Sequence, residues 1–378
     1  MADRQKILDW KTGLEEGVGP PGCDASFNDC DEILITAMST ERAIQRYLDE
    51  AGIELDAERF VRLVSNLYHE AESQYYDHVH SELEDAAVVW RQSLNAISSR
   101  LPDRVRILDV GAGTGFASDI ALEFLGRRAD VLVCLDPSAA MLQKARLRLS
   151  RHACPIQFIA GDLSSIAGGS GKFDLVLTNS VLHHIPDVDG FISDLRRLLG
   201  PGGIYIAGHE PSGDFYAPGE LYRWTRLYRR WRNVRRLFRA ETYRRRLTSA
   251  PAARPPEATV NEILLRRNVI KHALKPEIIR QLIDIHVPPA DSVDTSWGQQ
   301  GLRSNEILTR NLTGFTCCFV RTYSHVKEAR QRMGFVFRAI DGYLARRYPA
   351  GGSNFLMAAQ CPGSHQPPTP SHNLISEA

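Results

Sequence analysis

Between Pro102 and Gly208, short apolar runs alternate with amphipathic stretches, and this rhythm restricts the fold more than any other feature of the chain. Five runs follow in order: Val105–Val110, Val131–Asp136, Ile156–Ile159, Phe173–Thr178 and Gly203–Gly208, rich in Val, Ile, Leu or Phe. Continuous apolar strands of this kind are buried on both faces, which requires a parallel sheet with helices on either side. Gly115–Leu125, Ser138–Leu149 and Gly190–Leu199 read as those helices, with Gly200-Pro201-Gly202-Gly203 stopping the last. The expected class is α/β, a doubly wound, mostly parallel sheet whose ligands bind beyond the carboxyl ends of the strands.

The flanks divide the 378 residues further. Residues 1–31 have Gly, Pro and Asp without a sustained period and read as a flexible leader. Residues 32–100 read as a helical N-terminal cap, with Ile44 and Leu48, then Phe60, Leu63, Val64, Leu67 and Tyr68, then Val88, Val89, Leu94 and Ile97 at helical steps. Residues 101–210 form the core with the five strands. Residues 211–302 are a helical insertion or lid after the fifth strand, containing an Arg-rich helix at 221–246 and helices near 260–273 and 277–285. That Arg-rich stretch holds eleven Arg and one Glu, and Trp224, Leu227, Tyr228, Trp231, Val234 and Phe238 give it an apolar face. Residues 303–361 complete the core with a strand near Gly314–Tyr323, a helix near Val326–Arg347 and a strand near Asn354–Cys361. Residues 362–378 read as a disordered tail rich in Pro and Ser.

Lys plus Arg number 46 and Asp plus Glu 45, for a net charge of +1. Neither a wholly basic nucleic-acid binder nor an acidic disordered chain has this balance. The N-terminus lacks a secretory apolar run, and no stretch approaches the ~18 apolar residues of a membrane span. The expected location is cytoplasmic, and the seven Cys, without a C-x-x-C pair, are expected as reduced thiols.

The residues that carry chemistry sit at the strand exits. ILDVGAGTGFAS, residues 107–118, is a strand, an acid and then Gly111, Gly113 and Gly115 opening a helix. Glycines permit a tight turn and close approach of a ligand to the main chain. A dinucleotide fingerprint wants its third glycine at 116, where this chain has Phe, so a diphosphate ligand is disfavoured. Asp109 is expected to face an ammonium group, Asp136 to accept from both hydroxyls of a ribose, and Asp162, after Gly161, to accept from an exocyclic amine. The fourth exit presents Asn179, Ser180, His183 and His184, and the fifth His209 and Glu210.

Together these segments resemble class I S-adenosylmethionine-dependent methyltransferases, over about residues 103–210 and again in the last two strands. The resemblance implies a Rossmann-like core and S-adenosyl-L-methionine as cofactor, with S-adenosyl-L-homocysteine as its product. It implies that Asp109 and Gly111 hold the methionine end, that Gly113 and Gly115 give close backbone approach, and that Ala112 between them also contacts the cofactor. Asp136 would hold the ribose and Asp162 with Leu163 the adenine, and Pro137, Met141, Gly161, Asn179 and Ser180 are further expected cofactor contacts. Tyr76, near Tyr75 and His78, is expected as a lid contact from the cap. His184, His209 and Glu210 are the candidate catalytic groups, and His183 is expected to orient the loop. No metal site is expected.

The expected function is O- or N-methylation of a small-molecule acceptor, in specialised metabolism. For the Arg-rich helix the readings are packing over the acceptor pocket or against a second subunit, as in a homodimer, an anionic or carrier-bound substrate, and an acidic membrane surface. Nucleic acid is not expected as a partner. Two rivals are a non-methylating enzyme on the same fold, such as a cyclase, and a partner-binding regulatory subunit.

Overall fold

The computed structural model describes residues 40–72, 83–166, 172–216, 219–237, 254–287, 297–298 and 301–363. The leader, Tyr75, Tyr76 and His78, the Arg-rich stretch beyond 237 and the tail from 364 lie outside the described residues. A seven-stranded sheet has the order β3-β2-β1-β4-β5-β7-β6. Its strands are β1 Val105–Val110, β2 Ala129–Asp136, β3 Ile156–Ala160, β4 Phe173–Asn179, β5 Leu199–Pro211, β6 Thr316–Tyr323 and β7 Asn354–Gln360. The first five are parallel, and β7 runs antiparallel between β5 and β6. The chain order reverses between β1 and β4, which opens a crevice beyond their carboxyl ends.

The helices are α1 Thr40–Glu50, α2 Ala57–Glu72, α3 Leu83–Ile97, α4 Phe116–Leu125, α5 Ala139–Leu149, α6 Val188–Leu198, α7 Gly219–Leu237, α8 Pro256–Arg266, α9 Pro276–Ile283 and α10 Phe335–Arg347. Gly200 to Gly203 do not separate α6 from a later strand. Leu199 already pairs with Phe173, and a register shift before the Leu175–Ile204 pair takes up the glycines. α10 starts at Phe335, later than its apolar pattern suggests.

The expected cap divides into two parts. α3 belongs to the sheet layer: Ala86, Val89, Trp90, Leu94 and Ile97 pack with α4 and with residues of β1, β4, β5 and β7. Trp90 lies so close to β5 that a Cβ on Gly208 would stand 2.4 Å from its ring. α1 and α2 instead share a separate core with α8 and α9, built from Ile44, Leu48, Phe60, Val64, Val260, Leu264, Ile279 and Leu282. Two segments about two hundred residues apart therefore form one helical unit. The aromatic face of α7, expected over an acceptor pocket or a second subunit, packs on its own chain: Leu221, Tyr228 and Trp231 meet Met333, Phe337 and Leu344. Leu227 and Val234, expected on that face, are exposed.

Candidate active site

The exits of β1 to β4 and one face of α2 enclose a cavity of about 640 Å³. Its wall includes Gly111, Ala112, Gly113, Asp136, Pro137, Met141, Gly161, Asp162, Leu163, Asn179 and Ser180. Eleven of the expected cofactor residues thus meet in one place. Gly111 has φ 69°, and a Cβ there would stand 2.5 Å from Val181 Cγ2, so both backbone and space require glycine.

Asp136 is nearly buried, and each carboxylate oxygen accepts one main-chain hydrogen bond: Oδ2 from Gly113 N at 2.8 Å and Oδ1 from Ser138 N at 2.8 Å. A carboxylate has about four lone-pair directions, so each oxygen retains capacity for one hydroxyl. Burial raises its pKa against these two donors. A vicinal diol fits this arrangement. Asp162 carries a lowered pKa, first through Ser164 and further through Arg62, whose Nη1 pairs with its Oδ2 at 2.9 Å. Arg62 brings α2 onto the pocket rim.

Two expected contacts are corrected. Asp109 is fully buried and does not line the cavity. Its Oδ2 accepts from Ser118 Oγ at 2.6 Å, its Oδ1 has no partner among the described residues, and burial pushes its pKa up to about 7. It ties the end of β1 to α4. Gly115, at φ 81°, is also absent from the wall; a Cβ there would stand 3.2 Å from Ala145 Cβ, so it serves the packing of α4 on α5.

A second cavity of about 410 Å³ shares His69, Leu83, Ser180 and His184 with the first. His183, His209, Asp284, Arg280 and Lys327 also face it. Glu210 does not, and this corrects its expected role as a catalytic group. Its side chain is fully buried, and its carboxylate accepts four hydrogen bonds. Oε1 takes Val181 N at 2.8 Å and Leu182 N at 3.0 Å, while Oε2 takes His183 N at 3.2 Å and His183 Nδ1 at 2.8 Å. Burial works to raise the Glu210 pKa, but His183 and the loop amides outweigh it and hold it below the usual range. Burial works to lower the His183 pKa, and Glu210 outweighs it, so His183 titrates above its ordinary value. The pair ties β4 to β5 and fixes the ring with Nδ1 as donor and Nε2 outward from that bond.

His184 reaches both cavities, but its Nδ1 donates to Ile283 O at 2.7 Å, and burial followed by His183 drives its pKa down to about 4. With His286 Nε2 donating to Ile185 O at 2.8 Å, it fastens the cap to the β4 exit. His209 enters the second cavity through a bulge in β5, where Ala207 pairs with Met357 and Glu210 with Phe355. Its φ is 54° and its Nδ1 meets Tyr323 Oη at 2.7 Å.

The residues that the sequence reading missed come from the cap. Glu58, Arg62, Ser65 and His69 line the first cavity at steps of three and four along α2, a polar stripe legible beside its apolar one. Asp284 gave no such signal. With His183 and His184 it gathers three ligand atoms within 4.8 Å, the only such group capable of holding a metal ion among the described residues and one that sequence spacing did not reveal.

Comparison with known proteins adds the chemistry. A family model described as a methyltransferase domain matches residues 108–205. The malonyl-[acyl-carrier protein] O-methyltransferase of Xylella fastidiosa (strain M23) is 38% identical over 115 residues, 30% of this chain and 37% of that protein. The ubiquinone biosynthesis O-methyltransferase of Chelativorans sp. (strain BNC1) is 33% identical over 100 residues, 26% of this chain and 38% of that protein. The chain thus spans less than two fifths of either relative. An S-adenosylmethionine dependent methyltransferase from Mesorhizobium loti is 17% identical, covering 71% of this chain and 97% of its own, with a TM-score of 0.35. The strand order, the glycine turn bonded to the buried Asp136 carboxylate and the family match agree: residues 108–205 belong to a class I S-adenosylmethionine-dependent methyltransferase domain.

Proposed function

We propose that the protein methylates a small molecule seated in the second cavity, on oxygen or nitrogen. S-adenosylmethionine, when bound, supplies an electrophilic methyl group on a sulfonium sulfur. Asp136 would hold the ribose, the 111–113 turn the methionine end, and Asp162 with Leu163 the adenine. The observation that carries the reading is the shared wall of His69, Leu83, Ser180 and His184 between the cavity lined by the glycine turn and Asp136 and an imidazole-rich one. Methyl transfer needs acceptor and donor brought together in line, and adjoining cavities supply that proximity.

We assign the general base to His183. Its Nδ1 proton is committed to Glu210, which leaves Nε2 to take a proton from the acceptor. A buried carboxylate that orients a histidine also stabilises the imidazolium it becomes. His184, with a pKa near 4, is too weak a base for that work and serves as wall and fastener. His209 would contact the acceptor, with its ring held by Tyr323 Oη. Arg280, Lys327 and Asp284 supply the charged groups of the acceptor cavity.

The experiment is an acceptor screen with methyl-labelled S-adenosylmethionine, read by mass spectrometry, with wild type beside His183→Ala. Labelled product from wild type, lost in the variant while S-adenosylhomocysteine binding is retained, supports the reading. Unlabelled product formed in the presence of the donor would favour the non-methylating enzyme instead.

A further inference from the structure

The helix pair α7 and α10 takes no part in the chemistry above, yet it has a pattern of its own. In the sequence, residues 219–237 and 326–348 carry thirteen Lys and Arg against three acids, in a chain whose net charge is only +1. All three acids are engaged by neighbours. Glu328 pairs with Arg232, Asp341 is buried and accepts from Val326 N, and Glu220 accepts from Tyr348 Oη. Arg223, Arg226, Arg229, Arg230, Arg330, Arg332, Arg346 and Arg347 face solvent.

α10 is also apolar on its outer side. Phe337 and Leu344 fill the inner face, where Phe337 meets Tyr228 edge-on and Trp231 at a tilt, with ring centroids 4.9 and 5.1 Å apart. Phe335 is nevertheless 87% exposed, Val336 64% and Tyr343 48%. Positions 335, 339 and 343 recur at four-residue steps, so Phe335, Ala339 and Tyr343 form one outward stripe, with Val336 beside it. Leu227 and Val234 of α7, seven residues apart, are 48% and 53% exposed. The inner face is already packed, so the outer apolar groups have no part in that core.

We propose that the outer faces of α7 and α10 dock on an anionic lipid surface. Guanidinium groups pair with phosphate head groups, while Phe335, Val336 and Tyr343 enter the head-group and acyl boundary. A patch meant for a polyanion alone has no use for a bare phenyl ring. No helix among the described residues is long and apolar enough to cross a membrane, so the contact is one of surface docking. Lys327, Glu328 and Ala329, just before α10, line the second cavity, so docking would bring its rim beside the bilayer. The proposal does not depend on methyl transfer.

The test is flotation of the full chain with large unilamellar vesicles of phosphatidylglycerol and phosphatidylcholine, beside vesicles of phosphatidylcholine alone. Binding is expected to the anionic vesicles, weaker at high salt, and at least about tenfold weaker to the neutral ones. The Phe335→Ser/Val336→Ser double variant should bind about tenfold or more weakly, with unchanged thermal melting. Failure of wild type to float with anionic vesicles overturns the proposal. Unchanged binding by the double variant, with loss on Arg226→Glu/Arg230→Glu, also overturns it and leaves an electrostatic patch for a soluble acidic partner.

Discussion

Replacing Glu210 by Gln removes one charge and almost no volume from the centre of the site. The amide oxygen can still accept from Val181 N and Leu182 N, now at 2.8 and 3.0 Å from Oε1. The amide nitrogen would then face His183 N and Nδ1, two donors against a donor. Relief requires the imidazole to change tautomer and accept at Nδ1, which moves its proton to Nε2. One charge-assisted bond is lost, a cost of about 1.5–3 kcal/mol. The pH dependence follows from the two shifts. His183 titrates above 6.5 in the fold, so its contribution is full below 6.5 and fades as pH rises through the raised value. Glu210 titrates below 4.5 in the fold, so its contribution is full above 4.5 and fades as pH falls through the lowered value. The stability difference between wild type and Glu210→Gln should therefore be largest between pH 4.5 and 6.5. Urea unfolding across pH 4 to 9, with imidazole nitrogen shifts of His183 by NMR, measures both quantities. In the variant the His183 pKa should fall, because burial, its largest influence, is then opposed only by the Asp284 carboxylate 3.7 Å from Nε2. A difference in stability that is constant with pH, or an unmoved His183 titration, would refute the pairing.

The remaining expectations concern the cofactor side and the base. Asp136→Ala should weaken S-adenosylhomocysteine binding by about 2–4 kcal/mol in calorimetry, the worth of one or two charge-assisted bonds; an unchanged affinity removes the ribose assignment. Gly115→Ala places a side chain at φ 81° and 3.2 Å from Ala145, so melting should drop, by about 1–2 kcal/mol of stability from the left-handed backbone. Because Gly115 is not in the cavity wall, the folded variant should keep its cofactor affinity, and a large loss there would return Gly115 to the site. Arg62→Ala breaks a half-exposed pair with Asp162, so stability should change by less than about 1 kcal/mol while cofactor affinity becomes less salt-dependent. Once an acceptor is known, kcat/KM should rise with pH through a value above 6.5, since the base must be neutral to act; a limb near pH 4 would point to His184 instead.

How much of this was legible follows from where each signal lies along the chain. The five parallel strands and the glycine turn are local patterns, and four of the strands match their apolar runs to within two residues. The β5 start was missed because a Gly-Pro-Gly-Gly stretch is a stop signal in isolation, whereas here the strand absorbs it in a register shift. Asp109 was misplaced because strand position tells which residue ends a strand, not whether the next helix folds back over it; Ser118 does so. The same limit explains His183 and Glu210. Each was noticed at a strand exit, but their partnership depends on β4 and β5 being adjacent and on a bulge that turns Glu210 inward and His209 outward. The cap shows the limit most plainly. α1 and α2 carry an apolar face with no visible partner in their own segment, and α8 and α9 carry its complement two hundred residues later. A helical stripe declares that a partner exists, and only the fold says which one. It follows that Ile279 and Leu282 should be felt at the N-terminal end: Leu282→Ala should expose α1 and α2 to hydrogen exchange while β1 and β4 stay protected.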